Sequence, residues 1–187
     1  MTKIFALRPT LLTACAFAAL LALPVAQAAN ISKADYSASK TRISADYKAE
    51  KQTCASLGGN AKDICVEEAK AHEKVARADL EFSYSGKASD RNKLLVAKAE
   101  SDYAVAKERC DDLAGNPKDV CRKEAKAIEI KALADAKLAK TVSSANNDAF
   151  DAKRDADFKV ATEKCDALAG DARSSCVASA KAQAGKT

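Results

Sequence analysis

The chain has 187 residues, with 31 lysines and arginines against 26 aspartates and glutamates, and a formal net charge of +5. Charge this mild and this mixed in sign argues against a dedicated nucleic-acid binder, which concentrates positive charge on one surface. The chain has no tryptophan and only 5% aromatic residues, so the sequence predicts a thin core that buries little apolar area.

The predicted elements begin with a signal peptide at residues 1–28. Lys3 and Arg8 supply the positive start, an apolar run follows over 11–23, and Ala26-Gln27-Ala28 is a small-x-small cleavage pattern. The run is too short for a transmembrane helix. Cleavage would remove two cations and no acid, which lowers the net charge from +5 to +3. We therefore expect Sec-dependent export to the periplasm and no transmembrane span in the mature chain.

Cys15 lies inside this segment and raises the question of lipidation. Leu12-Thr13-Ala14-Cys15 resembles a lipoprotein cleavage box. Most of the apolar run comes after Cys15, however, whereas such a box should close the run. We expect Cys15 to be discarded with the signal peptide and the mature protein to carry no lipid.

Six helices are predicted after the signal, over 31–57, 61–83, 90–114, 117–141, 147–169 and 172–184. Their body is rich in Ala, Lys, Glu and Asp, which are common on exposed or thinly packed helices. Polar, turn-rich stretches at 83–86 and 143–147 predict breaks between units. The resulting hairpin domains are 29–86, 87–145 and a truncated third unit at 146–187.

The three units share one motif, a cysteine followed eleven residues later by a second cysteine. The intervening sequence reads LGGNAKD, LAGNPKD or LAGDARS, and an aromatic ring at Tyr47, Tyr103 or Phe158 precedes the first cysteine by seven residues. Corresponding first cysteines are 56 and then 55 residues apart. Matched motifs at a near-constant period predict three copies of one supersecondary unit.

Helix-end signals place a tight turn between the cysteines of each copy. A glycine suited to the left-handed conformation is predicted to end the first helix, and the next residue is a good N-cap for the second helix. These pairs are Gly59-Asn60, Gly115-Asn116 and Gly170-Asp171. The aromatic ring, the first cysteine and Leu57, Leu113 or Leu168 keep a spacing that predicts one shared helix face.

The turn brings the two cysteines of a copy to similar heights, about 6 and 7.5 Å from the bend at 1.5 Å per residue. Six cysteines remain after signal cleavage, an even number that favours disulfides in an oxidising compartment. Six cysteines allow about fifteen connectivities, and the threefold motif selects one: Cys54–Cys65, Cys110–Cys121 and Cys165–Cys176. Each crosslink is worth about 3 kcal/mol, which compensates for the thin core. The predicted fold is all-α, with three tandem disulfide-stapled αα-hairpins. They either pack as a bundle or short solenoid, or stand as semi-independent units.

No residue pattern predicts catalysis, a cofactor or a metal site. His72 is the sole histidine, and a C-x10-C spacing suits neither a C-x-x-C redox site nor a zinc site. Adjacent acids such as Asp111 and Asp112 are expected on solvated helix faces or in ion pairs. The tyrosines could stack on a ligand, but Phe158 replaces Tyr47 and Tyr103 without their hydroxyl, which favours packing. We expect a protein that is not an enzyme.

The stretch C-D-D-L-A-G-N-P-K-D-V-C at 110–121, followed by R-K-E-A-K-A, resembles a motif of small exported Ala/Lys-rich helical proteins of Gram-negative bacteria. Some of these are named TolA-like because of their composition. The resemblance spans all three copies, from about residue 46 to 182. It implies a periplasmic location and supplies no catalytic or binding residues.

Three functional classes follow from these expectations. The first is a structural or protein-interaction protein of the cell envelope, with an envelope protein or an anionic envelope polymer as partner. The alternatives are a binding module for anionic envelope ligands or metal, and a thiol–disulfide redox protein. No specific nucleic acid is expected, and the sequence leaves the oligomeric state open.

Overall fold

A computed structural model of the chain describes residues 31–186; the signal segment and Cys15 lie outside them. The described residues form five helices: α1 (Lys33–Cys54), α2 (Gly59–Ser85), α3 (Ala88–Cys110), α4 (Gly115–Cys165) and α5 (Gly170–Gln183). Among residues 31–186 there is no strand. The all-α class predicted from the sequence is confirmed.

Each helix packs only against its neighbours in the chain, in the order α1 on α2, α2 on α3, α3 on α4 and α4 on α5. The described helices therefore form an open, sequential arrangement in which first and last helices do not meet. Because α2 and α3 also pack on each other, the first two hairpins are docked together rather than independent.

The core is small and made of small side chains. Its ten buried apolar residues are three cysteines, one leucine and six alanines: Cys54, Cys110, Cys165, Leu80, Ala69, Ala97, Ala99, Ala125, Ala136 and Ala180. Alanine lets helices approach closely but removes little apolar area from water. Packing alone therefore gives these helices modest stability, and the crosslinks matter correspondingly more.

The largest departure from the predicted elements is α4, one continuous helix of 51 residues. The break predicted at 143–147 is wrong, and the expected domain boundary at 145/146 lies inside this helix. The physical reason is visible at the earlier junction, where α2 ends at Gly86 in the left-handed conformation with φ 63°. The equivalent position, 21 residues after the second cysteine of its motif, is Val142. Valine resists that conformation, so nothing stops the helix there.

The three turns differ from prediction in their caps. Gly59, Gly115 and Gly170 have φ of 55°, 62° and 58°, as expected of left-handed glycines. The N-cap position, however, falls earlier than predicted, at Gly58, Ala114 and Ala169, with no side-chain capping bond. The proposed caps Asn60, Asn116 and Asp171 were therefore wrong, because each second helix starts at the glycine itself.

Candidate functional site

The disulfides close the three turns as predicted from the spacing. Cys54 pairs with Cys65, Cys110 with Cys121 and Cys165 with Cys176, with Cα atoms 5.5, 5.7 and 5.7 Å apart. These separations are ordinary for disulfides. The first cysteine of each pair is 0% exposed, so each bridge is partly sealed inside its hairpin.

Ion pairs across the turn reinforce the second and third disulfide-closed turns. Asp111 pairs with Lys118 at 3.1 Å and with Arg122 at 2.5 Å. Asp166 and Arg173 occupy the positions equivalent to Asp111 and Lys118, and they pair at 2.6 Å. The hydrogen bond from Lys118, and then that from Arg122, hold the pKa of Asp111 below its usual value against the opposing effect of partial burial. The sequence predicted that acids such as Asp111 would be solvated or ion-paired, but it did not identify the basic residues that pair with them.

Asn60 links the first turn to the second. Its side-chain amide donates to the backbone carbonyl of Glu108 at 3.0 Å and to the carboxylate of Asp112 at 2.8 Å. On the same interface Arg109 pairs with Glu68 at 2.5 Å. The asparagine predicted as a helix cap thus fixes hairpin 1 against hairpin 2. Nothing in the spacing of polar residues along the sequence predicted this contact between Asn60 and the second turn.

The recurring aromatic rings line clefts between the two helices of their own hairpins. Tyr47, Tyr103 and Phe158 are half-buried, and the clefts measure 110, 190 and 210 Å³. Each ring lies beneath a lysine ammonium, 4.7–5.4 Å from the ring centre. Ligand pockets are usually larger, about 300–1,000 Å³. The rings therefore act as packing residues, and the loss of the hydroxyl at Phe158 fits that role.

A larger and more open groove of 540 Å³ runs between α2 and α3, lined among others by His72, Asp79 and Lys98. His72 is exposed, with Nδ1 3.2 Å from a carboxylate oxygen of Glu50. Ser101 also borders the groove; it is 4% exposed and its hydroxyl has no hydrogen-bond partner. Between residues 31 and 186, no three metal-ligating side chains come together.

Helix α4 carries the most exposed apolar surface of the described residues. Phe150 is 66% exposed, Ile128 64% and Leu138 62%. Every residue from 144 to 157 is exposed, so this stretch of helix is thinly packed, and its contacts are peripheral ones such as the ion pair between Asp155 and Lys186. The turn leucines Leu57, Leu113 and Leu168 are also 43–44% exposed, and each lies beyond the end of its helix at Cys54, Cys110 or Cys165, which corrects the expectation of one shared helix face. Apolar groups left uncovered at this level commonly mark an interaction surface.

Together the helices and disulfides define an all-α protein of helical hairpins, each closed at its turn by a disulfide. No protein-family model, no curated protein and no solved structure matches the chain. No helix between residues 31 and 186 combines the length and the apolar character that a membrane crossing needs. The function must therefore be argued from surface and charge.

Proposed function

We propose that this chain is a structural or protein-interaction protein of the bacterial cell envelope, exported to the periplasm. The observation that carries the proposal is the uncovered apolar surface of α4, held on a framework of disulfide-closed hairpins. Disulfides with ordinary Cα separations are compatible with an oxidising compartment outside the cytoplasm. The similarity in composition to exported Ala/Lys-rich helical proteins supports the same location.

The open arrangement of the helices also favours binding over catalysis. Because each described helix touches only its chain neighbours, a large part of every helix remains available to a partner. Protein interfaces use apolar and aromatic anchors surrounded by polar residues. Phe150 and Leu138, set among lysines and aspartates, have this character.

The two alternative classes have less support from the described residues. In a redox protein an attacking thiolate must reach a sulfur; here one cysteine of each bridge, Cys54, Cys110 or Cys165, is fully buried, and only its partner cysteine is partly exposed. An anion-binding module needs clustered positive charge, whereas the 31 lysines and arginines of this chain are interspersed with 26 aspartates and glutamates.

The test is photo-crosslinking in the native periplasm, with a crosslinking residue at position 150 followed by affinity isolation under denaturing conditions. A crosslinker at exposed position 130, on a different side of α4, serves as the matched control. Specific adducts at 150 to an envelope protein other than this chain, absent at 130 and formed at physiological salt, would support the proposal, whereas adducts only to a second copy of this chain would count against it. Recovery of the protein in the cytoplasm, or adducts only to anionic polymer that form at low salt and not at physiological salt, would contradict it.

A further inference from the structure

The exposed apolar residues of α4 form one stripe along the helix. At 100° per residue, six of them fall within an arc of about 120°: Val120, Ile128, Leu138, Val142, Phe150 and Val160. Ile130 is just as exposed, at 58%, but points to a different side of the helix. The buried residues Ala125, Ala136 and Cys165, which face α3 and α5, lie on a neighbouring flank. Ile128 borders the cleft beside Tyr103, and Leu138 and Val142 border a groove beside Arg91, yet all six stripe residues remain 44–66% exposed in the single chain.

The packing of α2 on α3 supplies a template for what covers this stripe. These helices run antiparallel, joined at Gly86. Their interface carries the Glu68–Arg109 ion pair and a groove bordered by Asp79 and Lys98.

Part of this pattern recurs on the two halves of α4 when the motif periods are applied. A shift of 56 residues carries α2 onto the first half of α4, and a shift of 55 carries α3 onto its second half. The Glu68–Arg109 ion pair recurs as Glu124 with Lys164, and the groove residues Asp79 and Lys98 recur as Asp135 and Lys153. The ion pair of Lys74 with Glu100 does not recur, because its equivalents are Ile130 and Asp155. The same register places Leu138 level with Phe150 and Ile128 level with Val160, at the positions equivalent to Phe82 with Leu95 and to His72 with Val105.

The continuous helix keeps these matched halves apart within one chain. Gly86 lets α2 and α3 fold back on each other, whereas Val142 sits inside α4 and the helix continues. We propose that a second copy of this chain supplies the missing partner. Two α4 helices pack antiparallel about a two-fold axis at residue 144, and the first half of each covers the second half of the other. This is a domain-swapped form of the α2–α3 interface.

The register of this dimer is fixed by its charges. With residue 144 at the axis, Asp135 faces Lys153 of the second copy and Lys131 lies level with its Asp157. Sliding the register by four residues in one direction places Lys131 level with Lys153, and in the other direction it places Asp135 level with Asp157. Like charges facing each other destabilise such pairs, so the proposed register is favoured over its neighbours. Ser101, whose buried hydroxyl is unpaired in the α2–α3 packing, is replaced by Ala156 in the swapped interface.

The inference does not depend on the envelope partner proposed above, because it is tested on the purified mature protein alone. Sedimentation velocity over a range of concentrations should show a monomer–dimer equilibrium. Ile128→Glu should abolish the dimer, whereas Ile130→Glu, on the same helix with similar exposure, should leave it intact. Circular dichroism checks that both variants remain helical. A protein that is monomeric at every concentration, or equal loss of dimer in both variants, would overturn the proposal.

Mixing of two charge variants tests the swap itself. Asp135→Lys sets lysine against lysine twice in its own dimer, and Lys153→Asp sets aspartate against aspartate twice. Each alone should weaken the dimer about tenfold. Mixed in equal amounts, they should form a heterodimer in which both contacts join opposite charges, with affinity restored to that of the unaltered chain. If α4 instead bent and closed within one chain, mixing would restore nothing, and that result would refute the second copy as the partner.

Discussion

The third hairpin should depend on its disulfide more than either of the others. α5 has 14 residues and packs only against α4, and its one buried residue is Ala180. Isolated helices of this length are marginal in water. The Cys165–Cys176 disulfide joins residues 11 apart in sequence. Such a crosslink stabilises the fold by about 3 kcal/mol because it restricts the unfolded chain. Replacing Cys165 and Cys176 with alanine should therefore leave α5 largely unprotected.

Hydrogen exchange followed by mass spectrometry measures this directly. A loss of about 3 kcal/mol corresponds to exchange roughly a hundredfold faster across α5, while α1 to α3 keep their protection. The reasoning is refuted if α5 amides in the double variant exchange as slowly as in the unaltered chain.

The matched control replaces Cys54 and Cys65 with alanine in the first hairpin. There the open end is held by a second contact, because the rings of Tyr36 and Tyr84 lie 4.6 Å apart and the Ile31 amide donates to the Ser83 carbonyl at 3.3 Å. α1 should lose protection near the turn but retain it near its start, in contrast to the uniform loss expected of α5.

Three further outcomes are expected. The pKa of Asp111 is lowered in the folded chain, so its contribution to stability is present above about pH 4 and is lost as the pH falls through the folded-state pKa. Asp111→Asn should accordingly lower the Tm at pH 7, with the two melting curves converging in acid; a gap independent of pH would contradict this. Gly59→Ala should cost about 1–2 kcal/mol in urea unfolding because its φ is 55°. The adjacent Gly58→Ala, at φ −126°, should change stability by no more than about 0.5 kcal/mol since loss of the glycine cap and reduced freedom of the unfolded chain oppose each other, and equal costs would disprove the turn argument. Val142→Gly weakens the middle of α4 by about 0.5 kcal/mol in each helix, or about 1 kcal/mol for the two helices of the dimer, so sedimentation should show the dimer weakened roughly fivefold; a tighter dimer would show that helix continuity is not what presents the stripe.

The parts of the fold that the sequence predicted rest on strong local signals. The C-x10-C spacing, repeated three times around glycines, predicted both the turns and the cysteine pairs. The break at 143–147 was predicted from polar composition alone, and that was too weak a signal. Serines and asparagines remain in a helix when no residue there favours the left-handed conformation. A comparison of Gly86 with Val142 across the two periods would have identified the continuous helix.

The contacts between hairpins were harder to predict because they depend on which helix faces which. Asn60 was assigned to capping from its place after a glycine. Its actual partners, Glu108 and Asp112, lie 48 and 52 residues away. Helix-capping rules consider only residues a few positions apart, so they cannot predict contacts at such sequence separations. The exposed stripe on α4 could not be predicted either. Its residues are separated in sequence by lysines and aspartates, and they share one face only because α4 is longer than any helix that the sequence predicted.

The pairing of each cysteine within its own turn has a consequence for the chain once it is cut. No sulfur among the described residues joins one hairpin to another. A protease nick between the cysteines of a turn would leave both fragments tethered. A nick in the bare stretch 144–157, for example after Lys153 or Arg154, would free the last hairpin with every crosslink still oxidised. Cleavage between two hairpins, unlike cleavage inside a turn, therefore divides this molecule covalently in a single step.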